Sequence, residues 1–243
     1  RHLQSVAESS FEAWTKYYRQ DEQSPNSIVS YYTKGALVAL ALDLSLRRRS
    51  DGKRSLDDVM RALWRRYGRD FDLRPAGLRE DDFPDLVREA TGLDLAPEIR
   101  RWAYGTEDPP LAELLGGFGV KLVLRPAEAC PTLGIKTAVR SGDLQVATVY
   151  QGGPAHAAGL SAGDTLIALD DLRIDERTLK QLIGRRRADQ TVRLHAFRRD
   201  ELMCFDVRLG PREATEASLS LVERPTAAAL QLGRKWLGMS GKW

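Results

Sequence analysis

The imidazoles and thiols that serve nucleophilic catalysis and structural zinc sites are few in this chain, and they are scattered. Three histidines, His2, His156 and His195, and two cysteines, Cys130 and Cys204, are its only imidazoles and thiols. No Cys and His spacing corresponds to a structural metal site, and two cysteines imply no disulfide framework. His156 follows Pro154 in an Ala-rich stretch, with no Ser or Cys nucleophile identifiable with it, and is expected on the surface. Tyr31 and Tyr32, with Lys34 and Gly35 just beyond, stand at the head of a long apolar segment. Spacing alone favours a helix-core tyrosine at position 32, since Tyr31 beside it shows that aromatic residues here need no function. Gly35 in a helix costs about 1 kcal/mol relative to alanine, which points to close approach of another element.

The elements that carry these residues fall into two halves. Up to about Gly117 the apolar positions recur at three and four, as in Phe11, Trp14 and Tyr18 or Leu56, Val59, Met60, Leu63, Trp64 and Tyr67, which predicts helices. The first runs from about Leu3 to Tyr18. Asp21 to Pro25 form a polar break that a helix interior would not accept. A long helix, roughly Ser27 to Arg48, is apolar on nearly all sides and belongs in the middle of a bundle. Ser55, with Asp57 and Asp58 behind it, starts a third helix that Gly68 ends. Shorter helices are predicted over Asp81 to Ala90 and Ala96 to Tyr104, then a short glycine-rich apolar segment after Pro109 and Pro110.

Beyond it the period becomes two. Strands are predicted at Val120 to Leu124, Gly134 to Val139, Leu144 to Tyr150, Thr165 to Leu169, Val192 to Phe197 and Met203 to Leu209, with one helix at about Arg177 to Arg186. Ala227 to Leu237 reads either as a short terminal helix or as a loosely docked tail.

Bulk properties exclude little else. Lys and Arg number 37 against 34 Asp and Glu, a formal charge of +3, weak beside the concentrated basic surface of a nucleic-acid binder. Arg47 to Arg49 and Arg185 to Arg187 sit at predicted helix ends, where cations complement the dipole. The stretch Gly35 to Leu46 is too short for a bilayer span. The compartment stays open between cytoplasm and periplasm.

The run from Gly152 through Pro154, Ala155, His156, Gly159 and Leu160 to Gly163 and Asp164 resembles the signature of a PDZ domain. Pro154 can open a one-turn helix, Gly159 can end it in the left-handed region, and Gly163 with Asp164 makes the turn into the strand at Thr165. The resemblance implies a carboxylate-binding loop at Thr132, Leu133, Gly134 and Ile135. Its backbone amides would capture a peptide carboxy terminus, with β-augmentation along Ile135 to Val139 beside the helix Arg177 to Arg186, and Leu133 and Ile135 lining the terminal side-chain pocket. The same shape can also serve as scaffold alone.

The block Ser24, Pro25, Asn26, Ser27, Ile28, Val29, Ser30, Tyr31, Tyr32, Thr33, Lys34, Gly35, Ala36, Leu37, Val38 is similar to one in the glycyl aminopeptidase family, metallopeptidase family sixty-one, of gluzincin type. So is Ser55 to Met60 with Leu63, Trp64, Tyr67 and Gly68 behind it. Tyr32, Thr33, Lys34, Gly35 looks like the Tyr-x-Lys-Gly element of related zinc aminopeptidases. The resemblance implies that Tyr32 faces the active site and stabilises the oxyanion. It also implies a catalytic zinc held by His-Glu-x-x-His and a further Glu. The three histidines here cannot make that motif, so the zinc would belong to a longer protein and the isolated chain is expected to be inactive.

The expected fold is therefore α+β. A helical part of a thermolysin-like peptidase domain occupies 1–117, a PDZ-like partly open β-barrel with flanking helices 118–212, and a terminal tail or helix 213–243. Expected partners are a peptide substrate or carboxy terminus, the remainder of the peptidase chain, and a second copy through an apolar face at Leu37, Leu40 and Leu44. Neither nucleic acid nor a membrane span is expected. The competing reading is a noncatalytic adaptor whose PDZ half binds carboxy termini.

Overall fold

The computed structural model describes residues 3–73, 75–126, 131–211 and 214–239; the readings attached to His2 and Cys130 lie outside them. The fold is α+β, with most helices in one compact unit and an antiparallel sheet in the other. The first unit comprises the described residues up to Tyr17, Val29–Val123, and those from Ser218 onward. The second comprises Tyr18–Ile28 and Leu124–Ala217. Relative to the expected division at 117/118 and 212/213, residues 18–28 go with the sheet and the end of the chain goes with the helices.

Helix α1 (Val6–Phe11) starts from a capping box in which Ser5 and Glu8 satisfy each other's backbone amides. It is followed by a π turn at Ala13–Tyr17. A one-turn helix α2 (Ser24–Ser27) is separated from α3 (Tyr31–Arg49) by extended Ile28, so the long helix begins four residues later than the expected Ser27. The reason is local: the Ser30 hydroxyl accepts from the Thr33 amide and caps the helix there.

From Val38 onward α3 is the axis of the helical core. Val38, Ala41, Leu42, Leu44 and Leu46 pack with Val59 of α4 (Leu56–Leu63), Leu86 and Val87 of α5 (Phe83–Thr91), Ile99 of α6 (Ala96–Ile99), and Leu114 and Leu115 of α7 (Leu111–Gly116). The arginines that end α3 meet carboxylates: Arg47 pairs with Asp43 at 2.7 Å, Arg48 with Glu113 at 3.0 Å, and Arg49 with the largely buried Glu98.

The apolar face expected at Leu37, Leu40 and Leu44 is narrower than the sequence implied. Leu44 is fully buried and Leu40 half-buried, because the core closes around the second half of α3; Leu37 alone of the three is exposed. Exposed aromatic surface lies instead at Phe11, Trp14 and Tyr32, which are 91%, 79% and 58% accessible.

Gly35 faces α1, but a Cβ there would meet Val6 Cγ1 at 3.7 Å, an ordinary van der Waals contact. Close packing therefore does not require the glycine. Gly35→Ala should raise stability by about 0.5–1 kcal/mol through helix propensity. Urea unfolding followed by tryptophan fluorescence checks this, and a lowered midpoint would show that α1 leaves no room.

Strand β1 (Val120–Arg125), expected among the strands of the second half, pairs instead with β8 (Glu216–Leu221) in a two-stranded ribbon. The chain then forms α10 (Ala227–Leu237), which decides between the two readings of this segment. Thr226 caps it, Leu232 and Trp236 pack against the helical core, and the Trp236 ring meets Phe118 edge-on at 5.6 Å.

In the second unit the strands are β2 (Ile135–Arg140), β3 (Asp143–Val149), β4 (Thr165–Leu169), β5 (Leu172–Arg173), β6 (Thr191–Arg198) and β7 (Glu201–Arg208), in the order β2-β3-β4-β6-β7 with β5 on β4. Alternating residues such as Val146, Leu166, Leu194, Ala196 and Val207 form its core. The short helix α8 (Pro154–Ala157) precedes β4, and α9 (Glu176–Gly184), capped by Asp175, precedes β6. Among the described residues no helix is long and apolar enough to cross a membrane.

Candidate functional site

The sheet unit offers a strand edge. β2 is the first strand of its sheet, and among the described residues only β3 pairs with it. The register fixes which way its backbone points. Ile135 lies opposite Val149, while the Tyr150 amide donates to the Gly134 carbonyl at 2.9 Å. Ile135 and Val149 are thus a non-hydrogen-bonded pair, which turns the Ile135 N–H and C=O toward the open edge. A bulge between Lys136 and Thr137 interrupts the alternation further along.

The loop before β2 is held by its neighbours. Thr132 and Gly210 exchange backbone hydrogen bonds, the Ala155 amide donates to the Leu133 carbonyl at 2.9 Å, and the Gly134 amide donates to the Thr132 hydroxyl at 2.9 Å. Gly134 has φ +70°, and a Cβ on it would come within 2.9 Å of Pro154 Cδ. Both the conformation and the space require glycine there. Leu133 is buried in the core, and Ile135 packs half-buried against it, as Leu182 of α9 does. The expected pair is therefore divided: Ile135 stands at the edge, Leu133 beneath it. The Gly134 amide, expected to face a ligand, is engaged inside the loop.

An ion pair with a buried carboxylate organises the turns that follow. Asp164, 1% accessible, accepts from Arg198 Nε and Nη2 at 2.8 Å each and from the Ser161 amide at 2.8 Å. Arg198 also donates to the Gly159 carbonyl at 2.8 Å, and its pKa is raised, chiefly by the hydrogen bond to Asp164. Sequence reading placed Gly163 and Asp164 in a turn; that the carboxylate is the buried partner of an arginine from β6 carried no local signal.

In the helical unit Tyr32 lies in the first turn of α3, its ring stacked on Tyr31 at 4.3 Å and tilted against Tyr17 at 6.0 Å. The Tyr17 hydroxyl is 3.1 Å from Ser30 Oγ. Tyr32 is well exposed rather than a core residue.

Residues 1–38 match the family model of the M61 glycyl aminopeptidases, and residues 131–209 match that of the PDZ domain. Among solved structures, an aminopeptidase N family protein from Idiomarina loihiensis is 39% identical over 95% of this chain, with a TM-score of 0.82. The chain is thus similar to the M61 glycyl aminopeptidases at its start and to PDZ domains over 131–209. It spans 40% of the length of the Idiomarina protein. The HtrA-type protease AlgW with decapeptide (23% identity, TM-score 0.33, 35% of this chain and 30% of that one) is also similar. So is the HtrA3 PDZ domain bound to a phage-derived ligand (14% identity, TM-score 0.30, 42% of this chain and 93% of that one). Likenesses at that level bear on neither ligand nor activity. No curated protein sequence matches the chain.

Lys34, of the Tyr-x-Lys-Gly element, is a structural tie. Its side chain is 7% accessible, and Nζ donates to the Thr106 carbonyl at 2.9 Å and pairs with Asp108 at 3.1 Å. The donors do not fit a zinc site. The sequence has no His-Glu-x-x-His, and among the described residues no group of three or more His, Cys, Asp or Glu could hold a metal. His156 is exposed on α8, and His195 Nε2 lies 3.2 Å from an Asp171 carboxylate oxygen.

Proposed function

We propose that this chain is part of a zinc aminopeptidase that removes small amino-terminal residues, glycine or alanine, from peptides. The observation that carries the reading is the 39% identity, over 95% of the chain, to an aminopeptidase N family protein. The zinc of this reading is bound by residues outside the chain, since those within it do not make its site.

Tyr32 is the residue this chain contributes to the chemistry. An exposed phenol in the first turn of a helix has the chemistry to donate a hydrogen bond to the oxyanion that forms as the scissile carbonyl is attacked. The exposed rings of Phe11 and Trp14 would then be covered by the remainder of the peptidase domain. The PDZ domain binds a peptide carboxy terminus along β2, supported by the outward backbone of Ile135 and by the free edge.

The test is zinc content and hydrolysis of glycine and alanine anilides, measured in parallel on this chain and on the full-length protein. Zinc and activity are expected in the full-length protein alone. Their absence from it would leave the adaptor reading, in which the PDZ domain binds carboxy termini without catalysis. Zinc-dependent hydrolysis by this chain would overturn its expected inactivity.

A further inference from the structure

Residues 18–28 belong to the sheet unit although the sequence on either side of them belongs to the helical one. The segment is wound by its own hydrogen bonds. The Asp21 carboxylate accepts from the Gln23 amide at 3.0 Å, the Ser24 amide at 2.9 Å and the Ser24 hydroxyl at 2.8 Å, and Ser24 is buried. The Ser24 hydroxyl and then the Gln23 amide hold the Asp21 carboxyl below the usual range.

What this turn presents to the sheet is Asn26. Its Nδ2 donates to the Val149 carbonyl at 2.9 Å, and its Oδ1 accepts from the Gln151 amide at 2.9 Å. The two groups flank Tyr150 and face away from β2, which is the side of β3 where β4 runs. β4, however, starts at Thr165 opposite Gln145, and the last backbone bonds there join Val146 to Gly163 and Asp164. Beyond that point β3 has lost its strand neighbour, and the Asn26 amide fills the vacant donor and acceptor positions as a strand would. On the opposite edge the Tyr150 amide donates to the Gly134 carbonyl. The end of β3 is therefore a rail gripped on one edge by Asn26 and on the other by the glycine of the carboxylate-binding loop.

We infer that Asn26 is a positioning residue for the peptide site of the PDZ domain, fixing the end of β3 against Gly134 and so the outward backbone of Ile135. The ligand it serves is a peptide with a free terminal carboxylate, and in this the inference rests on the groove reading above. A module made of residues 131–209 alone lacks this support.

The test compares the whole chain with Asn26→Ala and Asn26→Asp. The aspartate keeps the shape and the acceptor but cannot donate to the Val149 carbonyl. Amide exchange of Tyr150 should accelerate about tenfold in both variants, and that of Gln151 in Asn26→Ala, which offers it no acceptor, with the amides of β6 and β7 unchanged. Affinity for a labelled Ala-Ala-Ala-Ala-Val peptide with a free carboxylate should fall about fivefold or more. Unchanged Tyr150 exchange in Asn26→Asp would overturn the inference, as would equal peptide affinity in all three proteins. If the unsubstituted chain binds the peptide no better than its carboxamide, the groove reading fails, and the exchange of Tyr150 still decides the role of Asn26.

Discussion

Replacing Asp164 by alanine should destabilise the sheet unit by about 2–3 kcal/mol while leaving the helical unit intact. Removing one partner of a fully buried pair costs about 3–5 kcal/mol. Arg198 keeps about a third of its surface in water and can be partly resolvated, so the lower figure applies. The loss is more than one ion pair. The carboxylate also accepts from the Ser161 amide, and Arg198 ties the Gly159 carbonyl and lies over the Phe205 ring at 5.4 Å. Truncation thus loosens two turns and a hairpin together. Asp164→Asn, which keeps the shape and part of the hydrogen bonding, should cost about 1 kcal/mol. The two units can be read separately, because none of the tryptophans at 14, 64, 102, 236 and 243 falls within residues 18–28 or 124–217. In urea, the tryptophan transition should stay in place while the exchange of the β6 and β7 amides accelerates. A common shift of both signals would show that the two units unfold as one.

The second large effect is expected at Tyr32. In the full-length protein Tyr32→Phe should lower kcat by about 100- to 1000-fold, the usual cost of deleting one oxyanion donor, with KM nearly unchanged. Phenylalanine keeps the ring, and so the stacking on Tyr31, and removes only the hydroxyl. Tyr31→Phe is the matched control on the same aromatic cluster and should leave kcat within about twofold. An unchanged kcat in Tyr32→Phe would remove the assignment. A raised KM at constant kcat would reassign the phenol to substrate binding that is equal in ground and transition states.

The parts of the fold that could be read from the sequence are those whose cause is local. Pro154 and Gly159 bracket a one-turn helix because one fixes φ and the other adopts φ +88° at no steric cost, and neither needs a distant partner. Period-three and period-two patterning placed most helices and strands within a residue or two, since amphipathicity is written along each element. The miss at the start of α3 was also local: Ser30, not the polar run before it, is the cap. β8 escaped because its residues are mostly exposed and its partner β1 lies about a hundred positions earlier in the chain.

What the sequence by itself determined is the order of the two halves, the turn chemistry of the PDZ domain, and the absence of a His-Glu-x-x-His motif, all properties of residues close in the chain. Only the tertiary structure decided which side chains those halves bury and join. It closed the core over Leu44, bound Lys34 to the Thr106 carbonyl, and set Asp164 against Arg198. It also took Asn26 out of its helical neighbourhood and laid it along the end of β3. The physical reason is common to the last three. A buried polar group must find a partner wherever the fold brings one, and the distance along the chain to that partner leaves no mark on local propensity or hydrophobic period.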